Sequence, residues 1–301
     1  MPPGAAWRWR ARRLMAKRAL SGLRAVRRLR FARGGSFRLA ILLPVRLTRR
    51  LAMRLHLFPV LLLLLSSAVC AADLSAIPTG PIAVKKELLF ADDFEGATPA
   101  KVWHRVVPTF TIEQGTLKGT QTRDTLVPAS AGKAAVTPHA AVHGLEIPTK
   151  DSVVEVRIRF EGASMIDVEF DDRAYAGAHY GHLCRAQVRL NGVTLIDERD
   201  GTMRNDIYAM NKEPAKKAER TKLLAGRSVT YPAQLQAGKW YTLVVETVGD
   251  AMRVTIDGKP AGFLQSSGIA HATKSKIELG VAGKDGFFDD IKVWRAEPVA
   301  R

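Results

Sequence analysis

Apolar and polar residues alternate with a period of two along several short stretches in the second half of the chain. The stretch VVEVRIRF (153–160) has apolar residues at its even-numbered positions, and SMIDVEF (164–170) continues the pattern from Ile166. A period of two is typical of β-strands that bury one face. We therefore expect the even-numbered positions of both stretches, among them Val154 and Val168, to lie in a common core.

Turn residues separate these strands from their neighbours. Asn191-Gly192 stands between AQVRL and VTLI, and Asp257-Gly258 follows MRVTI. Both dipeptides favour a type I′ turn, in which the two central residues take positive φ. Further strands are expected at 240–247, 277–281 and 287–294. Many short strands with closely spaced turn signals predict an all-β, antiparallel two-sheet sandwich.

Residues 203–225 break the alternation. The stretch is rich in lysine and becomes helical in character after Pro214. We expect an insertion whose basic side chains face solvent, since a charge run of this kind usually serves solubility. These basic residues are Lys216, Lys217, Arg220 and Lys222.

Charge is unevenly distributed along the chain. The whole sequence has 46 Lys and Arg residues against 29 Asp and Glu residues, but residues 1–72 hold 16 of the basic residues and none of the acidic ones. The remaining 30 basic and 29 acidic residues nearly cancel. The folded part therefore has no excess positive charge for binding phosphates, and we expect no nucleic-acid partner.

Residues 53–72 have the anatomy of a secretory signal peptide. Arg54 gives a short positive start, residues 57–65 are all apolar, and small residues follow. We therefore expect a secreted or periplasmic protein. Attachment to a membrane is expected only if the stretch 57–72 stays uncleaved.

The flanking segments are harder to interpret. Residues 1–52 are either a basic, disordered arm or the product of a start codon placed too early, since a signal peptide begins cleanly at Met53. Residues 73–86 contain three Pro and Gly residues and are expected to form a linker. Beyond the signal region the chain has only Cys184, so an internal disulfide is excluded.

Asp167 and Glu169 are candidates for catalytic or sugar-binding residues. They stand two residues apart, so they share the polar face of the strand at 164–170 with a spacing of about 6.6–7 Å. That spacing is compatible with a pair of carboxyl groups acting on a glycosidic bond. It is equally compatible with carboxylates that only contact a sugar.

A structural role for the two acids competes with these functions. We expect the strands 153–160 and 164–170 to form a hairpin across residues 161–163. Arg157 or Arg159 would then fall opposite the acids, and such cross-strand pairs stabilise a sheet. The sequence leaves ion pairing, sugar contact and catalysis open.

The stretch 172–188 is a second candidate for chemistry. It is a glycine-punctuated loop that enters a strand, and it contains Tyr175, His179, His182 and Arg185. Aromatic rings and a His/Arg cluster suit a saccharide, and loops on a rigid sandwich often carry function. Plain loop packing and a metal held by the two histidines remain alternatives.

Four segments occur in a characteristic order. They are LLFADDFEG (88–96), TIEQGTLKG (111–119) after Trp103, GKWYTLVVETVGDAMRVTIDGKPAG (238–262) and FFDDIKVWRA (287–296). Together they resemble the concanavalin A-like jelly-roll superfamily, and the chain is similar to the secreted bacterial domains described as 3-keto-disaccharide hydrolase or glycoside hydrolase family sixteen-like. The resemblance covers about residues 87–297. It implies a jelly roll of two curved sheets whose concave face holds a saccharide.

Family sixteen enzymes carry a strand motif Glu-x-Asp-x-Glu, which supplies nucleophile, helper and general acid. On this chain the motif falls on Met165, Asp167 and Glu169. A thioether cannot attack an anomeric carbon as a carboxylate does. The resemblance therefore supports two functions. One is a glycoside hydrolase-like domain with Asp167 and Glu169 as catalytic residues beside the loop candidates, and the other is a non-catalytic lectin-like or laminin G-like adhesion module.

The resemblance also places the first and last strands side by side. Asp92 and Asp93 would then lie near Asp289 and Asp290. Four carboxylates at that distance repel one another unless a cation such as calcium bridges them. We expect no required cofactor, a structural calcium ion at these four residues if any metal is present, a saccharide as partner, and a monomer.

Overall fold

β-Strands make up most of the part of the chain that the structure describes, which is residues 76–107 and 109–300 of a computed structural model. The strands are β1 (Ala83–Asp92), β2 (Trp103–Val107), β3 (Phe110–Glu113), β4 (Thr116–Thr120), β5 (Ala141–Leu145), β6 (Ser152–Asp171), β7 (His182–Arg189), β8 (Gly192–Asp197), β9 (Ser228–Pro232), β10 (Trp240–Val248), β11 (Ala251–Ile256), β12 (Lys259–Gln265) and β13 (Lys276–Pro298). Two short α-helices are α1 (Asn205–Ala209) and α2 (Lys217–Leu223). The predicted basic arm and signal peptide lie outside the described residues. Within those residues, no helix combines the length and the apolar character needed to cross a membrane.

The strands β6 and β13 are long and take part in two layers. Residues 152–159 of β6 pair with β10, whereas residues 166–171 pair with β7. β13 runs antiparallel to β6 along nearly its whole length, with shifts of register around Gly283. Gly162 takes a φ of 100° at the corresponding point of β6, and glycine in a strand interior commonly marks such a bulge. Both long strands therefore continue from one layer into the other.

All pairings in the two layers are antiparallel. The first layer has the order β12-β11-β10-β6-β13, and the far side of β13 pairs with β4 and β1. The second layer has the order β9-β8-β7-β6-β13-β5-β2. The layers pack face to face, since a Cβ on Gly262 of β12 would come within 3.5 Å of Val193 and Tyr231 of the second layer. The predicted all-β, antiparallel two-sheet sandwich is confirmed.

The even-numbered positions of β6 form the core, as the period of two predicts. Val154, Val156, Ile166 and Val168 are all fully buried in one hydrophobic cluster. Cys184 of β7 lies in the same cluster. Burial of these side chains removes apolar surface from water, which is the main favourable contribution to folding.

The predicted hairpin across residues 161–163 is wrong, because the segments 153–160 and 164–170 belong to one strand. Gly162 lets the chain bend there without reversing, and β13 pairs with both halves. The predicted ion pairs of Arg157 and Arg159 with the acids are therefore wrong as well. Arg157 Nη1 instead lies 3.0 Å from Asp289 Oδ2, and Arg159 pairs with Glu161.

One of the two predicted turns has the expected geometry. Asp257 and Gly258 take φ values of 47° and 73°, as a type I′ turn requires. The β7–β8 hairpin forms, but Arg189 pairs with Gly192, so Leu190 and Asn191 are the central residues. Neither of them has a positive φ, and the type I′ prediction is wrong there. Their carbonyls accept hydrogen bonds from the backbone of residues 233 and 235, which fixes a different turn.

Part of the expected linker is fixed to the sandwich. β1 begins at Ala83, within the stretch 73–86. Before it, Arg253 donates hydrogen bonds to the carbonyls of Pro78 (2.9 Å) and Thr79 (3.1 Å), and it forms a buried 2.9 Å ion pair with Glu246. One guanidinium thus connects this segment to β10 and β11.

Lysine in place of Arg253 is expected to release residues 78–82 from the sandwich. Lysine keeps a positive charge beside Glu246 but lacks the planar fork that reaches several acceptors at once. We expect a free energy of unfolding lower by about 2 kcal/mol and faster hydrogen–deuterium exchange over 79–82. The matched control is Arg295→Lys, because Arg295 pairs with Glu87 at the exposed surface. Equal exchange in the two variants would contradict the prediction.

The stretch 203–225 contains both helices. α2 follows Pro214 and exposes Lys217 and Lys222, in agreement with the predicted solvated face. α1 differs from that expectation, because its Ile207 is fully buried. This part of the insertion packs onto the sandwich beside the site described next.

Candidate functional site

The odd-numbered positions at the end of β6 carry acids on the face of the second layer that points away from the core. Asp167, Glu169 and Asp171 are all buried. The register of the sheet places Glu278 of β13 beside Glu169 on one side and Arg185 of β7 on the other. Alternation in the strands thus produces a row of charged residues across three neighbouring strands.

Arg185 connects three carboxylates. Its Nη1 lies 3.2 Å from Asp167 Oδ2, and its Nη2 lies 2.5 Å from Glu169 Oε1 and 2.8 Å from Glu198 Oε1. Glu198 comes from the turn that follows β8. A guanidinium is suited to this role because its five donors are arranged in a fixed planar fork.

His182 and Lys276 are the other cations of the site. His182 Nδ1 lies 2.6 Å from Glu169 Oε1 and 2.9 Å from Asp171 Oδ1. Lys276 Nζ lies 2.8 Å from Asp171 Oδ2 and also pairs with Glu278. We refer to the whole group as the carboxylate cluster, and its members are Asp167, Glu169, Asp171, His182, Arg185, Glu198, Lys276 and Glu278.

Burial dominates the electrostatics of the cluster. It raises the pKa of Glu198 to about 8, and it raises the pKa of Glu169 although Arg185 opposes the shift. Burial alone would lower the pKa of His182, but hydrogen bonds to Asp171 and Glu169 outweigh it and raise that pKa to about 11. The cluster therefore favours a charged imidazole and disfavours a full set of ionised acids.

The loop at 172–181 and the turn-and-helix segment that begins at Glu198 pack together beside the cluster. The backbone N–H of His179 donates to the carbonyl of Met203 (2.7 Å), and Asn205 Nδ2 donates to the carbonyl of Ala176 (2.7 Å). The rings of His179 and Tyr208 stack with centroids 3.8 Å apart. This packing holds Glu198 in place against the sheet and keeps water away from the acids.

Some of the predicted site residues come together and others do not. Asp167, Glu169, His182 and Arg185 are all members of the cluster. Tyr175 and His179 lie outside it, since Tyr175 packs on the ring of His271 (4.7 Å) and His179 stacks on Tyr208. The ring centroids of His179 and His182 are 6.5 Å apart, and His179 is not in the group of three possible ligands that contains His182.

Sequence reasoning missed four members of the cluster. Asp171 continues the alternation of Asp167 and Glu169, and Lys276 and Glu278 alternate with apolar positions of β13. That pattern could have placed these three on a polar face. Glu198 follows a strand and gave no comparable signal.

The four aspartates expected to hold calcium have other partners among the described residues. Asp92 accepts hydrogen bonds from the backbone of Phe94 (2.9 Å) and from Trp103 Nε1 (2.8 Å). Asp289 and Asp290 both bond Arg157. Among the described residues, only Glu169, His182 and Glu198 form a group of three possible ligands within 4.8 Å of one another. These contacts do not favour calcium at Asp92, Asp93, Asp289 and Asp290, and that site stays a prediction.

A more exposed polar group continues the row beyond Glu278. Glu278 of β13 pairs with Gly144 of β5, and Gly144 pairs in turn with His104 of β2. The imidazole of His104 lies over Gly144, where a Cβ would overlap it. Arg173 Nη2 is 2.7 Å from His104 Nε2 and 2.8 Å from Glu146 Oε1. Burial and the charge of Arg173 lower the pKa of His104, so this rim offers a neutral imidazole next to the cluster.

Comparison with known proteins finds solved structures that are similar to this one. No family model matches the sequence, and no curated protein matches it. The GlcNAcα1-4Gal-releasing endo-β-galactosidase from Clostridium perfringens aligns with 73% of this chain and 65% of its own, at 12% identity and a TM-score of 0.48. The laminarinase catalytic domain from Thermotoga maritima aligns with 69% of this chain and 98% of its own, at 13% identity and a TM-score of 0.46.

A third similar structure is a non-specific endo-β-1,3(4)-glucanase of family GH16. It aligns with 71% of this chain and 98% of its own, at 12% identity and a TM-score of 0.45. Family sixteen is the family that the strand motif at Met165, Asp167 and Glu169 resembles. The chain is thus similar to glycoside hydrolases in structure, and at these identities and TM-scores the similarity does not place it in their family.

Proposed function

We propose that this chain is a glycoside hydrolase-like, carbohydrate-active domain that acts on a saccharide at the outward face of the second layer. The observation that carries the proposal is the placement of Asp167 and Glu169 on that face, with both carboxylates held by Arg185. Hydrolysis of a glycosidic bond needs two carboxyl groups fixed in relation to the sugar. Side chains that are locked by neighbours meet that need better than mobile ones.

The exposed rim gives a saccharide a way to reach these acids. His104 lies across Gly144 from Glu278 in the register, and Arg173 and Glu146 contact its side chain. All three side chains are partly or largely exposed. A neutral imidazole can both donate to and accept from sugar hydroxyls, and a guanidinium can donate to them. We propose that the sugar binds along this exposed rim. Glu169 is buried, so its carboxyl group reaches the reacting bond only when the segments that cover the cluster move aside.

The export predicted from residues 53–72 belongs to the same proposal. A carbohydrate-active domain that is secreted or periplasmic meets its polymeric substrates outside the cytoplasm. Mass spectrometry of the exported protein should find an N-terminus close to Ala72. A mature chain that still begins at Met1 would contradict export by this segment.

Glutamine in place of Glu169 is expected to lower kcat/KM at least about 100-fold, because a positioned carboxyl group contributes about 10²–10⁴-fold. Release of reducing ends would be measured over a panel of α- and β-linked oligosaccharides, with circular dichroism to verify the fold. Glu155→Gln is the matched control, since Glu155 pairs with Lys85 on the first layer. Turnover that is unchanged by the substitution would refute a role of Glu169 in catalysis.

A non-catalytic saccharide-binding module is the second candidate. Met165 favours it, because the thioether occupies the position of the nucleophile in the motif. Saturable binding to a glycan array without release of product would support this function, and binding with product release would support hydrolysis.

A further inference from the structure

Glu198 has a buried oxygen without a partner. The residue is 2% exposed, its Oε1 pairs with Arg185, and its Oε2 has no hydrogen-bond partner among the described residues. Leaving a buried acceptor unsatisfied costs about 1–3 kcal/mol, and more when the group is charged. Such an atom commonly marks the place of an ion, a water or a ligand.

Glu198 also belongs to a group of three possible metal ligands. Glu169, His182 and Glu198 each offer one ligand atom, and these three atoms lie within 4.8 Å of one another. The three residues come from β6, β7 and the turn after β8. They are held by neighbours that fix their orientation, since His182 also bonds Asp171 and Glu169 also bonds Arg185.

The acids of the cluster outnumber its cationic side chains, so a bound cation would let more of them ionise. The five carboxylates of the cluster face three cationic side chains, those of His182, Arg185 and Lys276. An uncompensated negative charge is costly in a buried site. A divalent cation would offset this excess of carboxylates and provide the missing partner of Glu198.

We propose that Glu169, His182 and Glu198 bind one divalent cation of the first transition row, Zn²⁺ or Mn²⁺. Two carboxylates and one imidazole form a mixed oxygen and nitrogen set, which suits these ions better than Ca²⁺ or Mg²⁺. Binding replaces the proton on His182 Nδ1 with the metal and releases that proton. Arg185 keeps its contact with Asp167. The inference stands on these contacts and does not depend on the saccharide chemistry proposed above.

The site also accounts for the position of the segment after β8. A cation held by Glu198 would connect this segment to β6 and β7 directly. Binding to the folded state alone raises the free energy of unfolding by RT ln(1 + L/Kd), where L is the free ligand concentration, so the gain grows with the logarithm of the ligand excess. We therefore expect Zn²⁺ or Mn²⁺ to raise the Tm of the full chain by about 5 °C at saturation.

The test is equilibrium dialysis of the full chain against Zn²⁺ or Mn²⁺, with bound metal measured by inductively coupled plasma mass spectrometry. The wild type should bind one molar equivalent. Glu198→Gln and His182→Gln should each weaken binding at least tenfold. Glu155→Gln is the matched control, because Glu155 lies outside the cluster and pairs with Lys85 on the first layer, and it should keep the full equivalent.

A second measurement uses the wild type alone, so its result does not depend on whether the variants fold. Pulsed electron paramagnetic resonance of bound Mn²⁺ should detect one directly coordinated imidazole nitrogen. Absence of metal binding by the wild type, binding that both ligand variants retain, or bound Mn²⁺ without a nitrogen ligand would each overturn the proposal. A wild-type chain that binds metal but neither cleaves nor binds a saccharide would count against the proposed function alone.

Discussion

Methionine in place of Arg185 is expected to lower the free energy of unfolding by about 3–5 kcal/mol. The substitution keeps most of the side-chain volume but removes the cation that Asp167, Glu169 and Glu198 share. These carboxylates would stay buried with only His182 and Lys276 nearby, and an unpaired buried charge is far more costly than the pair it came from. Urea denaturation followed by tryptophan fluorescence measures the change.

Arg189→Met is the matched control for this experiment. Arg189 lies on the same strand and the same face as Arg185, and its Nη1 bonds the neutral side chain of Gln187. We expect its loss to change the free energy of unfolding by less than about 0.5 kcal/mol. Similar losses in both variants would mean that Arg185 contributes by packing and not by compensating charge.

Alanine in place of Gly268 is expected to lower the free energy of unfolding by about 3 kcal/mol. A Cβ at this position would overlap the carboxylate of Asp197. Asp197 is fully buried, and its Oδ2 accepts hydrogen bonds from Ser266 Oγ (2.5 Å), the backbone of Gly268 (3.0 Å) and Arg227 (3.2 Å). The added methyl group would displace the acceptor that holds these donors together.

A second glycine separates this effect from the general cost of a glycine substitution. A Cβ at Gly80 would meet no atom within 4 Å, and Gly80 does not have a positive φ. We expect Gly80→Ala to be neutral or slightly stabilising, since alanine restricts the unfolded chain. Thermal melts of both variants give the comparison, and equal Tm values would contradict the role assigned to Asp197.

Much of the sandwich could be predicted because its strands bury one face. Val154 and Val168 follow a period of two over enough residues to indicate strand and core together. Asp257-Gly258 specifies its turn through backbone conformations that few other residues adopt. These signals are local, so neighbouring residues in the sequence determine them.

The candidate site depended on contacts that are distant in the sequence. Gly162 could terminate a hairpin or bend a continuous strand, and only the pairing with β10 and β13 decides between these outcomes. Because the strand is continuous, β7 lies next to Asp167 and Glu169, and their partner is Arg185 instead of Arg157. Glu198 joins the site because the segment after β8 packs against the sheet. No periodic pattern in the sequence predicts that packing.

The continuity of β6 and β13 through both layers affects how the sandwich folds and unfolds. Because each layer contains half of each strand, melting one layer would pull apart the backbone hydrogen bonds at the centre of the other. The pairing of these strands also joins residues more than 100 positions apart, and closing so large a loop is slow. The protein should therefore unfold as one cooperative unit and refold at a rate limited by the meeting of its two longest strands.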